Sequence, residues 1–304
     1  MAEICDVAIV GGGAAGLSAA ILLGRSRRHV VLFDTGTPRN QASRAVHGLL
    51  GHEGLAPSEL LATARIELER YETVTLRSDL VTAITRSGSG FSVTCEGGST
   101  FRARKVLLTT GLIDDVPKLE GIEQLYGRSV HHCPYCDGFE HRDQPLAVYG
   151  SGDKGAGLAL MMKQWSPDVV LFTDAQATVS AEMAERLKQK SIEICSERIA
   201  SLEGTEDGVL KSIRLKNGRA IERSAMFFST GSRQRSNLSE SLGCARDDDG
   251  GVITDPVTEE SSVPGVYVAG DASRDVLLVA VAIGEGAKAA VAINRALLRG
   301  AGLG

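Results

Sequence analysis

Asp6-Val7-Ala8-Ile9-Val10, then Gly11-Gly12-Gly13-Ala14-Ala15-Gly16, then Leu17 to Leu23 read as strand, tight turn and helix. A second apolar run, Val30 to Phe33, ends in Asp34, which lies 23 residues after Gly11 and 18 after Gly16. Glycines, flanking strand and downstream acid at this spacing are the fingerprint of a dinucleotide-binding unit. Each position has a physical task. Gly11 permits the tight turn, Gly13 lets backbone approach a pyrophosphate, and Gly16 lets the helix pack on the strand. Ala14 and Ala15 open a helix whose free N–H groups face the phosphates. Asp34 is placed to accept hydrogen bonds from a ribose diol.

The pattern recurs further along. Leu146 to Tyr149 is apolar, Gly150-Ser151-Gly152-Asp153-Lys154-Gly155 follows, Leu158 to Gln164 reads as helix, and Val169 to Phe172 leads to Asp174. Asp174 stands 24 residues after Gly150, close to the 23 of the first copy. Two more runs echo each other, Val106 to Leu108 ending in Thr109-Thr110-Gly111 and Met226 to Phe228 ending in Ser229-Thr230-Gly231. The expected class is therefore α/β, with two Rossmann-like (ββα) nucleotide-binding domains, the second inserted into the first. Alternation around Phe91 to Cys95, with Ser87-Gly88-Ser89-Gly90 and Gly97-Gly98, predicts a small antiparallel β insertion in the first domain. Ser212 to Leu215 with the turn Asn217-Gly218 predicts another in the second. Gly265 to Asp271 reads as a strand ending in Gly-Asp, suited to a flavin's ribityl and phosphate region, and a small-residue helix follows from about Val276 to Leu298. That last unit is assigned to the first domain, giving 1–113 with 238–304 around an inserted 114–237.

Composition excludes several classes. The chain carries 43% apolar and 23% charged residues over 304 positions, as ordinary globular proteins do, and not disordered or fibrous ones. Glycine is raised, at 35 residues, where roughly 7% is usual. A net charge of −5 argues against nucleic acid or an anionic membrane as principal partner. The longest late apolar run, Val276 to Ile283, falls far short of the roughly 20 residues a membrane span needs. Met1 to Asp6 has no cationic segment before its apolar stretch, so the cytoplasm is the expected compartment.

The chemistry concentrates in His131-His132-Cys133-Pro134-Tyr135-Cys136-Asp137-Gly138. Two cysteines separated by two residues at a turn that can become helix can close a disulfide and reopen it. A helix start lowers a thiol's pKa, and Pro134 stiffens the turn. Asp137 could shuttle a proton. A zinc site would need four ligands, and no second cysteine pair exists, so no metal is expected. Cys5, Cys95, Cys195 and Cys244 read as small hydrophobes. His47 and His52 read as loop histidines, with His47 a candidate to face a flavin; His131 and His132 receive no role.

In this order the glycine fingerprint, Thr109-Thr110-Gly111, the Cys133 to Cys136 pair and Gly270-Asp271 resemble the low-molecular-weight thioredoxin reductases over essentially the whole chain. The resemblance implies a homodimeric flavoprotein, with FAD bound by 1–113 and 238–304 and the redox disulfide carried by 114–237. Its implied cofactor set is Gly11, Gly13, Ala14, Ala15, Gly16, Asp34, Arg39, Thr109, Thr110, Gly111, Gly270 and Asp271. Cys136 corresponds to the thiol nearest the flavin, Cys133 to the interchange thiol and Asp137 to the proton carrier. The chain departs from the reductases in its second nucleotide unit. No cation lies between Asp174 and Arg186, where reductases grip the 2′-phosphate of NADPH, and Leu278-Val279 replaces their Arg-Gln pair. With Cys-Pro-Tyr-Cys, these departures resemble the family's dithiol oxidases, which form disulfides in natural products of gliotoxin, holomycin and romidepsin type. In those a histidine commonly follows the second cysteine, where this chain has Asp137.

That resemblance implies a small dithiol substrate, electrons passing from Cys133 and Cys136 to FAD, and dioxygen as acceptor without NADPH. An NAD(P)H-dependent disulfide reductase and a non-catalytic flavin-loaded redox sensor are the competing expectations. A further open reading is that the second fold holds another electron carrier or a second flavin.

Overall fold

Residues 4–273 and 276–303 are described in a computed structural model; residues 1–3, part of the segment read for a leader, lie outside them. Backbone contacts divide the chain into one unit of Met1–Gln41, Gly48–Ile113 and Arg233–Gly304 and another of Ala42–His47 and Asp114–Ser232. The return crossing precedes the 237/238 boundary read from sequence. Gln234 Nε2 donates to the carbonyls of Gly250 and Ala272, and the Arg235 N–H donates to Gly111 O, so 234 and 235 already belong to the first unit. Residues 42–47 join the second unit because Arg44 donates to Asp207 O and Gly127 lies against the backbone of Ala42.

In the first unit, Ile4–Val10 lies between Val30–Phe33 and Thr100–Leu108, parallel to both, within a seven-stranded sheet. The nucleotide unit thus runs strand, helix, strand. The stretches 7–10, 30–33 and 106–108 of its strands are apolar because both faces are covered there. Val7 and Ile9 pack with the helices Ala14–Arg25 and Val279–Gly300, while Ala8 and Val10 pack with Phe33, Phe91 and Val93 on the other face. The antiparallel strands Val81–Ser87 and Gly90–Cys95 form the hairpin insertion expected from their alternation, and it is part of the main sheet. Gly90–Cys95 pairs with the first half of Thr100–Leu108, whose length carries the meander into the main sheet.

The second unit holds a five-stranded parallel sheet in the order Glu193–Cys195, Val169–Phe172, Leu146–Tyr149, Ala225–Phe228, Val130–His131. Leu146 and Val148 face the helix Gly152–Met162, and Ala147 and Tyr149 face a three-stranded antiparallel sheet, Ile199–Gly204, Leu210–Leu215 and Ala220–Glu222. Gly218, at φ +87°, turns the last hairpin. The helix starts at Gly152 instead of near Leu158 because Gly155 packs on Gly150, where a Cβ would sit 2.5 Å from backbone carbon. Apolar spacing alone missed this glycine-rich first turn. Among the described residues no helix is long and apolar enough to cross a membrane.

Candidate redox site and dinucleotide cradle

The glycines of the first loop divide into two kinds. Gly11 has φ +115°, and a Cβ there would meet Thr109 O at 2.2 Å; one at Gly16 would meet Gly11 O at 1.9 Å. Thr109 Oγ1 donates to Gly11 O at 2.7 Å and ties strand end to turn. These three residues close the turn against its own strands. Gly13 differs, since a Cβ there would touch nothing within 4 Å. It precedes a 12-residue helix, Ala14–Arg25, that no side chain caps. Open space above uncapped N–H groups suits a diphosphate.

Around this cradle three of the other expected cofactor residues, Asp34, Arg39 and Asp271, are held by ion pairs. Asp34 lies under Gly12, accepting from Arg65 Nη2 at 2.8 Å and from the Gly36 N–H at 3.0 Å. Arg39 donates to Asp271 Oδ2 at 2.8 Å. The Gly270 N–H donates to Glu285, a carboxylate only 7% exposed, at 2.6 Å. Thr110 is half-buried, and Gly111 takes φ +68° where the strand leaves the sheet. Arg65 and Glu285 were not read from sequence. On a helix each resembles an ordinary surface charge, and only the fold aims them inward.

In the second unit, Cys133 and Cys136 form a disulfide with a Cα–Cα distance of 5.3 Å. Cys133 caps the short helix Pro134–Asp137, its sulfur accepting from the Cys136 N–H at 3.1 Å. Pro134 opens that helix, where its missing N–H costs nothing. Tyr135, between the cysteines, is exposed and meets Trp165 edge-on at 5.7 Å. Both line a groove of about 640 Å³ with Met161, Lys163, Arg186 and Lys190.

Successive strand residues point to opposite faces, so His131 and His132 part. His132 reaches Tyr126 Oη at 3.4 Å and Asp114 at 3.9 Å. His131, 4% exposed, has Nδ1 3.3 Å from Asp137 Oδ1 and Nε2 3.0 Å from His141 Nε2. Burial, then His131, lowers the His141 pKa to about 4. Reading from sequence singled out Asp137 but not His141, whose only local sign is its place ten residues after His131. His47 stands 3.8 Å from Glu140 in this same unit.

The second glycine loop keeps its turn and close helix packing, but Asp174 is already engaged. Its carboxylate accepts from the Ile199 N–H at 2.7 Å and from Tyr149 Oη at 3.3 Å. Cys5, Cys95, Cys195 and Cys244 are free and buried. Burial pushes all four thiols up, Cys5 to about 11.

Residues 5–286 match the family described as pyridine nucleotide-disulphide oxidoreductase. A protein of Arthroderma benhamiae named probable thioredoxin reductase is 31% identical over 300 residues, covering 89% of this chain and 74% of its own. Thioredoxin reductase tcpT of Claviceps purpurea is 30% identical over 278 residues, covering 88% of this chain and 87% of its own. Among solved structures, that of HlmI superposes with a TM-score of 0.92 at 35% identity, covering 97% of this chain and 93% of its own.

Proposed function

Because this chain belongs to the pyridine nucleotide-disulphide oxidoreductase family, we propose that it is an FAD-dependent dithiol oxidase that closes a disulfide in a small dithiol of natural-product type. The observation that carries this reading is the Cys133–Cys136 disulfide followed directly by a carboxylate, Asp137, that is itself oriented by His131. A substrate thiol gives its proton to Asp137 and attacks Cys133, and Cys136 leaves as a thiolate. The second substrate sulfur then attacks the first, Cys133 leaves, and the substrate disulfide is closed.

FAD, when bound, supplies the two-electron acceptor that restores the enzyme disulfide, dioxygen being the final acceptor. The residues that fit it are Gly13, Ala14 and Ala15 for the diphosphate and Asp34 for the ribose, with Gly11, Gly16 and Thr109 to Gly111 shaping the turn. Arg39, Gly270 and Asp271 complete the set, all within the unit of 1–41, 48–113 and 233–304. The open space at Gly13 supports this assignment. A homodimer in the cytoplasm belongs to the same reading, through the resemblance to thioredoxin reductases.

A second reading, an NAD(P)H-dependent disulfide reductase, is favoured by the second glycine loop and by the names of two relatives. Asp174 weighs against NADPH, because a carboxylate repels a 2′-phosphate. Anaerobic addition of NADH, NADPH or a small dithiol, with the flavin absorbance followed, separates the two. Bleaching by the dithiol alone is expected, with hydrogen peroxide and substrate disulfide formed in air. Prompt bleaching by either nucleotide overturns the oxidase direction.

A further inference from the structure

Asp137, His131 and His141 stand in line within the second unit. Asp137 Oδ1 lies 3.3 Å from His131 Nδ1, and the far nitrogen of that ring lies 3.0 Å from His141 Nε2. Between two imidazole nitrogens at this distance there is room for one shared proton, so one ring donates and the other accepts. The Phe227 ring lies against both imidazoles, at centroid distances of 5.5 and 6.2 Å, and keeps water from the middle of the line. His131 is buried, whereas His141 is partly exposed and its Nδ1 has no partner among the described residues. A polar nitrogen in that position takes water as its partner. The line therefore has a carboxylate beside Cys136 at one end and solvent at the other.

We propose that His131 and His141 form a proton relay that carries to solvent the proton Asp137 takes from the substrate, an inference that rests on the dithiol-exchange reading of Cys133 and Cys136. The half-reaction balances without any further reagent. The substrate dithiol is oxidised to its disulfide and the Cys133–Cys136 disulfide is reduced, receiving two electrons. Of the two protons released, one stays on Cys133 and one must leave. Protonated Asp137 gives its proton to His131 Nδ1. His131 Nε2 gives its own to His141 Nε2, and His141 Nδ1 releases one to water. Both rings remain neutral overall, so no imidazolium has to be stabilised in the apolar site. The depressed basicity of His141 fits that requirement, since a ring that held a second proton would stop the relay.

The other charged groups of the same turn are engaged elsewhere: Glu140 faces His47, and Arg142 lies over the Phe139 ring at 4.0 Å. On the strand Ala225–Phe228, which covers the rings, the facing residue is Phe227. No other charge competes for the line among the described residues.

The test uses the oxidised holoprotein in weak buffer near pH 6 and dithiothreitol as the dithiol. Without dioxygen, opening of the disulfide is followed by quenching with iodoacetamide and counting alkylated Cys133 and Cys136 together with flavin bleaching, and proton release by an indicator dye. His141→Gln keeps a donor for His131 but cannot pass a proton. We expect it to slow both signals roughly 10- to 100-fold, less than the ~100- to 10,000-fold of a group in direct proton contact. The loss should vanish above about pH 9, where a free thiol is already ionised. His141→Ala should be slowed likewise and regain its rate, saturably, as free imidazole is added. An unchanged His141→Gln, or a slow His141→Ala that ignores imidazole, overturns the relay while the wild type still exchanges. If the wild-type disulfide is not opened at all, the dithiol-exchange reading falls, and the relay with it.

Discussion

Arg39 and Asp271, 232 positions apart, meet in a 2.8 Å ion pair with side chains only 14% and 22% exposed. The pair fastens the segment after the second strand to the Gly-Asp end of the late strand, and both are assigned to the cofactor. Partial burial makes this pair worth more than a surface one. A double-mutant cycle with Arg39→Met and Asp271→Asn should give a coupling of about 1 to 2 kcal/mol in apoprotein unfolding. Additive single effects would show that the pair does not fasten the loop.

Gly13 and Gly16 should separate folding from cofactor binding. A methyl at Gly16 meets Gly11 O at 1.9 Å, whereas one at Gly13 meets nothing. Gly16→Ala should therefore cost the apoprotein about 1 to 3 kcal/mol, as overpacking does. Gly13→Ala should leave the apoprotein Tm nearly unchanged and lower flavin retained per chain, measured by visible absorbance. Equal losses of Tm would mean that the space above Gly13 is not kept for a ligand.

Only two of the six cysteines should react readily. After mild reduction, a maleimide at pH 7 is expected to label Cys133 and Cys136 and to spare the others, whose raised pKa values keep them protonated. Cys133→Ser and Cys136→Ser should each abolish dithiol turnover; Cys95→Ser and Cys244→Ser should leave it intact. Peptide mapping of the label and the turnover assay check both statements.

His141 links stability to pH. Its pKa is about 4 in the fold and 6.5 when unfolded, so between these values the unfolded chain binds more protons. Its contribution is complete above about pH 6.5 and is lost as pH falls towards 4. The denaturation midpoint should rise with pH across this window in the wild type and rise less in His141→Gln. Parallel curves for the two proteins would remove His141 as the source.

Local sequence determined a good deal here. Gly11 to Gly16 followed by Asp34, and Cys133 to Asp137, announce their chemistry because a turn and a four-residue helix are built from neighbours, whose spacing fixes backbone geometry. Alternation along 81–95 marks the antiparallel hairpin but not its place in the main sheet beside Thr100–Leu108, because alternation reports a half-buried strand and not which sheet receives its edge.

What tertiary structure alone decided is the set of partners. Arg65 reaches Asp34 from another helix, Glu285 reaches Gly270 from the last one, and His141 reaches His131 around a turn. None of these side chains differs in type from a solvated surface residue. Their meaning arises only when sheet order and helix packing bring distant segments within hydrogen-bond range, where burial makes a missing partner costly and a correct one specific.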